Sequence, residues 1–129
     1  MALRFKLVQR RNPQEPSAPQ KYYATVVPNG KRTLKNLSER VASHTTMSAP
    51  DVYGVLMALE EEIIAALKDG AKVELGDLCS FYPVVQSDGV ESPDDFNGAK
   101  HIKRKSVRVA ARQSLVRNME NVSVEKVES

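Results

Sequence analysis

Seven cations stand between residues 99 and 117 with no acid among them: Lys100, Lys103, Arg104, Lys105, Arg108, Arg112 and Arg117. Lys and Arg grouped in this way suit one kind of chemistry. They neutralise a polyanion and fix its position without reading base identity. Immediately before them stand Asp88, Glu91, Asp94 and Asp95, a block of the opposite sign. The switch fits either a clamp for a polyanion or a hairpin with unevenly charged ends.

The same segregation runs along the whole chain. The 129 residues carry a net charge of only +3. Residues 1–35, however, hold eight Lys or Arg against Glu15 alone, and residues 36–78 hold eight acids against three bases. Charge divided into blocks points to a polyanion-facing surface more strongly than the small net value does.

Other reactive groups are sparse. His44 lies in a polar break and His101 within the basic run, and neither has a Cys, Asp or Glu at metal-ligand spacing. Both read as plain surface histidines. Cys79 is the single cysteine, which excludes an intrachain disulfide or a thiolate cluster, and it reads as a packed thiol. Asp94 and Asp95 are adjacent and point to opposite sides of an extended chain. Glu60, Glu61 and Glu62 are consecutive, so they spread around a helical turn as a solvated flank. No glycine-rich phosphate loop and no nucleophile elbow is present. The chain reads as no enzyme, with no cofactor, no metal and no small-molecule substrate.

At 14.3 kDa the length suits one compact domain with residues left for loops or tails. With 41% hydrophobic residues, no Trp and 5% aromatics, its core is aliphatic and modest, a composition that often needs a second subunit to complete it. The opening "MALRFKLVQRR" alternates and lacks the apolar stretch of a signal peptide. No run approaches the roughly 18 apolar residues of a membrane span. A soluble, intracellular protein with no membrane partner is expected.

The elements that must position the basic run can be read in order. Leu3, Phe5 and Leu7 alternate with Arg4, Lys6 and Val8 as a half-buried strand. "RNPQEPSAPQ", with Pro13, Pro16 and Pro19, reads as an extended connector, and "KYYATVV" as a second strand. "PNGK" then turns the chain. Thr33 caps a short helix in which Leu34, Leu37 and Val41 share a face. Ser48 caps a long one, with Pro50 in its first turn and Asp51 as the capping-box acid. Val52, Val55, Leu56, Leu59, Ile63 and Leu67 recur at helical spacing until Gly70 stops the helix.

"KVEL" and "LCSFYPVVQ" read as strands, the second an edge or bulged one because Pro83 cannot donate to a ladder. In "HIKRKSVRV", alternation puts Ile102, Arg104, Ser106 and Arg108 on one face and Lys103, Lys105, Val107 and Val109 on the other. "AARQSLVRNM" is a short helix carrying Leu115 and Met119. "NVSVEKV" closes as a strand with Val122 and Val124 inward. If the terminal strands pair, Glu125 comes to lie across from Arg4 or Lys6.

This order, carried by "LKNLSERVASHTTMSAPDVYGVLMALEEEIIAALKDGAKVELGDLCSF", resembles the HU/IHF family of bacterial histone-like DNA-binding proteins over about residues 34–120. Two strands before that unit are similar to a longer HU-like group. The resemblance implies an α+β fold: an intertwined homodimer with a helical base, a β-sheet saddle and β-arms, plus extra N- and C-terminal strands. It divides the chain into a 1–32 extension, a 33–120 HU-like domain with its arm at about 86–103, and a 121–129 strand and tail. It places Leu56, Leu59, Ile63, Leu78, Phe81 and Val109 in the core. It gives phosphate contacts on double-stranded DNA to Lys100, Lys103, Arg104, Lys105, Arg108, Arg112 and Arg117, in a cytoplasmic, nucleoid-associated protein.

Three departures stand out. The family's arm tip carries an Arg-Asn-Pro wedge, whereas Pro93 here sits in "ESPDDF". Its Gly-Phe-Gly link is Asp77-Leu78-Cys79, and its glycine before the last helix is Arg112. The expected function is architectural DNA binding with little sequence preference, by phosphate contact and without base-step wedging. An HU-fold scaffold that has lost DNA binding is the alternative.

Overall fold

The computed structural model describes residues 2–127. The described residues form two compact units, one made of residues up to 33 together with those from 118, the other of residues Leu34–Arg117.

The first unit is a three-stranded sheet in the order β2-β1-β6: β1 (Ala2–Arg10), β2 (Lys21–Val26) and β6 (Ser123–Lys126). β1 and β2 run antiparallel from Phe5↔Val26 to Arg10↔Lys21, while β6 lies parallel to β1. Arg4 stands opposite Glu125, one of the two pairings that the sequence allows. The proline-rich connector is no extended spacer. It is the loop of the β1–β2 hairpin, folded by turns in which Glu15 N donates to Asn12 O and Ala18 N to Glu15 O. Closing an antiparallel pair brings both ends of the loop together, so the chain must curl.

Two inward assignments also change. Val124 is 67% exposed, because β6 is an edge strand. The pairing of β1 is unbroken, but burial stops following its alternation at the far end, where Leu7 is exposed and Val8 half-buried.

The second unit starts with α1 (Leu34–Ser43) and α2 (Ala49–Lys68), which pack on each other. α2 begins where its cap dictates: the Ser48 hydroxyl accepts from Asp51 N, and Pro50 occupies the first turn, where no donor is needed. It ends at Gly70, whose φ of +84° is the left-handed conformation of a helix stop.

The sheet β3-β4-β5 follows: β3 (Val73–Leu75), β4 (Cys79–Ser87) and β5 (Ile102–Ala111), all antiparallel. Gly76, at φ +54°, makes the β3–β4 turn. β3 pairs only with Cys79 to Phe81, so β4 is an edge beyond that point, and Pro83 sits where no β3 partner is lost. The β4–β5 ribbon runs out to Ser87↔Ile102 through a bulge at Gln86/Ser87. The chain then passes into α4 (Gln113–Glu120).

The core of one chain is thin. Val52 is the buried apolar side chain among the described residues, with Ser38 and Ser80 as buried polar ones. Of the expected core, Leu56, Ile63 and Phe81 are half-buried, but Leu59, Leu78 and Val109 are exposed at 39%, 50% and 58%. The reason is geometric: α2 meets β3 and β4 over a short stretch only, so the apolar sides of α2 and β5 extend past what one chain can cover.

Candidate nucleic-acid interface

Cross-strand register decides which face of the β4–β5 ribbon each cation occupies. Directly paired residues project to the same side. Phe81↔Val109, Pro83↔Val107 and Val85↔Lys105 therefore form an apolar face. It borders an open cavity of about 570 Å³ with Ile64, Leu67 and Lys68 of α2. Tyr82↔Arg108, Val84↔Ser106 and Gln86↔Arg104 form the opposite, polar face. The separation of Arg104 and Arg108 from Lys105, Val107 and Val109 agrees with the sequence, but the bulge breaks the alternation beyond Arg104: Ile102 pairs with Ser87, on the Phe81 side, and Lys103 has no partner in the register.

The polar face carries a cluster that the sequence did not reveal. Arg108 lies over the Tyr82 ring at 4.7 Å and Lys72 over the same ring at 4.9 Å. A cation over an aromatic face is attracted by the ring quadrupole. Glu74 accepts a hydrogen bond from the Arg112 guanidinium at 2.7 Å and faces the Lys72 ammonium at 3.3 Å. The Arg112 hydrogen bond, then the Lys72 one, holds the Glu74 carboxyl below its ordinary value. Glu74 in turn raises Arg112, and Glu74 followed by Tyr82 raises Lys72. Three cations, one acid and one aromatic ring thus share one patch. Tyr82, set apart from the basic run in sequence, sits directly across from Arg108. Only strand register brings it there, since Glu74 and Arg112 are 38 residues apart.

The other expected contacts are dispersed. Lys103 is held by Asp88 at 3.2 Å at the outer end of the ribbon. Lys105 belongs to the apolar side. Lys100 lies in the one-turn helix α3 (Gly98–His101), and Arg117 in the last turn of α4, both exposed. Among the described residues, Lys100, Arg104, Lys105, Arg108 and Arg117 show no acidic partner.

The tip, residues 88–101, is folded rather than a bare acidic turn. Pro93–Asp95 form a 3-10 turn. The Asn97 side chain caps α3 by accepting from Ala99 N, and Asn97 N donates to His101 Nδ1 at 2.8 Å. The Phe96 and His101 rings lie 5.3 Å apart. His101 is therefore a latch of the tip, not a plain surface histidine, and it closes α3 rather than opening β5. No group of His, Cys, Asp and Glu that could hold a metal occurs among the described residues, and no helix is long and apolar enough to cross a membrane.

The family model for HU-HIG, described as an HU domain fused to wHTH, Ig or glycine-rich motif, matches residues 1–126. The chain belongs to the HU-HIG family. Its α+β fold is also that of a solved structure from Bacteroides vulgatus ATCC 8482, described as a candidate bacterial DNA-binding protein. The two share 15% identity with a TM-score of 0.66 over 98% of this chain. This chain spans about half of the other, 48%. No curated protein matches the sequence.

Membership in HU-HIG puts the departures noted in the sequence in structural terms. Gly76 supplies the positive φ of the β3–β4 turn, and the turn then closes as Leu78 N donates to Leu75 O and Arg112 N to Leu78 O. Arg112, where the HU/IHF resemblance leads one to expect a glycine, is the residue that grips Glu74. Pro93 opens a 3-10 turn whose next two residues are acidic.

Proposed function

We propose that this HU-HIG protein is a dimeric architectural DNA-binding protein that grips duplex phosphates with little sequence preference, as part of the bacterial nucleoid. The observation that carries this reading is the two-sided ribbon: Arg104, Arg108 and Tyr82 on one face, Val107 and Val109 bare on the other. The family supports it, as does the description of the Bacteroides neighbour.

The dimer is supported by surface arithmetic. A compact monomer of 14.3 kDa exposes about 6,800 Å². This chain exposes 10931 Å². The surplus is about 4,000 Å² for one chain. Part of it belongs to the division into two units and the projecting ribbon, and the rest leaves room for the roughly 1,000–2,500 Å² per partner that obligate dimers bury. A second copy laid against α2 and the apolar ribbon face removes the exposed Ile64, Val107 and Val109 from water.

A gel shift on a random-sequence duplex at low salt tests the grip. Arg104→Glu with Arg108→Glu weakens the shift by at least about tenfold if the polar face holds DNA. A shift of wild-type strength from the double variant refutes it.

A scaffold role is favoured by one set of facts: Asp88 and Glu74 already occupy Lys103 and Arg112, and Glu91, Asp94 and Asp95 make the tip acidic. On that reading wild-type protein shows no shift at any salt, while the dimer persists.

A further inference from the structure

The +7 balance of residues 1–35 is not used by the β5 grip, and in the N-terminal sheet its cations collect on one face. In β1, Arg4, Lys6, Val8 and Arg10 share a side. Across from them stand Glu125, Thr25, Tyr23 and Lys21 respectively. The reverse side holds Leu3, Phe5, Leu7, Ala24, Val26 and Val124, interrupted by Gln9 and Lys126. The sheet is therefore amphipathic, with a basic face and an apolar one.

The basic face is built and open. Arg4, Lys6, Arg10 and Lys21 are all exposed, and none has an ion pair at contact distance among the described residues. Arg10 is oriented by donating to the Thr25 hydroxyl at 3.2 Å. The Val8↔Tyr23 pair lies between Lys6↔Thr25 and Arg10↔Lys21, an uncharged floor between cations. At the Arg10 end, Arg10, Arg11, Asn12, Pro13 and Tyr23 line a shallow depression of about 340 Å³. Lys6 and Arg10 are four strand positions apart, about 13 Å along the backbone, but the Arg10 guanidinium reaches back to Thr25, the residue paired with Lys6, so the two charges lie closer together than their backbones. Lys6, Arg10 and Lys21 thus group three cations on one face, a number suited to neighbouring phosphates of a duplex.

We propose that the basic face of the β2-β1-β6 sheet is a second phosphodiester-binding surface, engaging duplex DNA independently of the β5 grip. The inference rests on the reading that this protein binds DNA. It gives the N-terminal extension a function: lengthening the DNA footprint of each protomer.

The test is fluorescence anisotropy on a labelled 30-bp random duplex over a salt series. Three full-length proteins are compared: wild type, Lys6→Gln/Arg10→Gln/Lys21→Gln, and Arg104→Gln/Arg108→Gln. Glutamine removes charge while keeping length, and far-UV circular dichroism checks that each variant is folded. Three lost phosphate contacts make the slope of log K against log salt shallower by about 2.7, and weaken binding at least tenfold at 0.1 M salt.

An N-terminal triple variant with wild-type slope and affinity, beside a weakened Arg104/Arg108 variant, overturns the inference and leaves the β5 grip standing. A loss confined to the triple variant supports the N-terminal surface and overturns the β5 grip. Absence of salt-dependent binding by wild type overturns both.

Discussion

Glu74 restrains two cations on the polar face, so neutralising it strengthens DNA binding. In the free protein the Arg112 guanidinium donates to Glu74 at 2.7 Å and Lys72 faces it at 3.3 Å. Glu74→Gln keeps the side-chain shape but leaves no charge to hold them. Each cation freed for a phosphate steepens the salt slope by about 0.9, and at 0.1 M salt multiplies affinity by about eight relative to 1 M. Two freed cations give a slope steeper by about 1.8 and a gain of up to about sixtyfold.

Removing any nearby acid also reduces repulsion, so Asp77→Asn is the control. Asp77 contributes only a through-space effect on Arg112, without the hydrogen bond. Anisotropy titrations from 50 to about 300 mM salt separate the two, because simple loss of repulsion leaves the number of phosphate contacts unchanged. Equal slopes for Glu74→Gln, Asp77→Asn and wild type refute the reasoning that Glu74 sequesters Arg112 and Lys72.

Further expectations follow from the same geometry. The lowered Glu74 pKa means that its ion pairs stabilise the fold above the ordinary carboxylate value of 4.5 and cease to do so as pH falls through the lower folded value. Denaturation midpoints of wild type and Glu74→Gln therefore differ at pH 6 and converge on acidification. Val109→Asp, at a site 58% exposed in one chain, changes stability by less than about 0.5 kcal/mol if the chain works alone. If β5 is an intersubunit core, burying that charge weakens association by roughly a hundredfold or more, seen by analytical ultracentrifugation. Pro93→Ala leaves DNA bending, measured by end-to-end energy transfer, unchanged, since the Pro93–Asp95 turn carries acids rather than a wedge. His101→Ala removes the acceptor of Asn97 N, so amide exchange rises in residues 97–101 while DNA affinity holds.

Local signals in the sequence were reliable where local physics acts alone. Ser48, Pro50 and Asp51 announced the start of α2, and Gly70 its end, because caps and stops depend on a few adjacent residues. Period-two alternation separated Arg104 and Arg108 from Lys105 and Val107 for the same reason. The patch around Tyr82 was not legible. It needs Val73–Leu75 to pair with Cys79–Phe81 and Tyr82 to fall opposite Arg108, and register is a tertiary property. The exposure of Val109 and Leu78 was hidden differently. The family resemblance places them in the core, but one chain has too little helix against its sheet to cover them. The His101 latch escaped because its partners, Asn97 N and Phe96, form a fold local to the tip that no periodic pattern reports.

The salt dependence of wild-type binding to a random-sequence duplex tests the central claim most directly. Four cations without acidic partners and off the apolar face, Lys100, Arg104, Arg108 and Arg117, predict a slope of log K against log salt of about −3.6 for each protomer engaged. Contacts from the N-terminal face steepen it. A slope near zero, or no binding at 50 mM salt, contradicts the account.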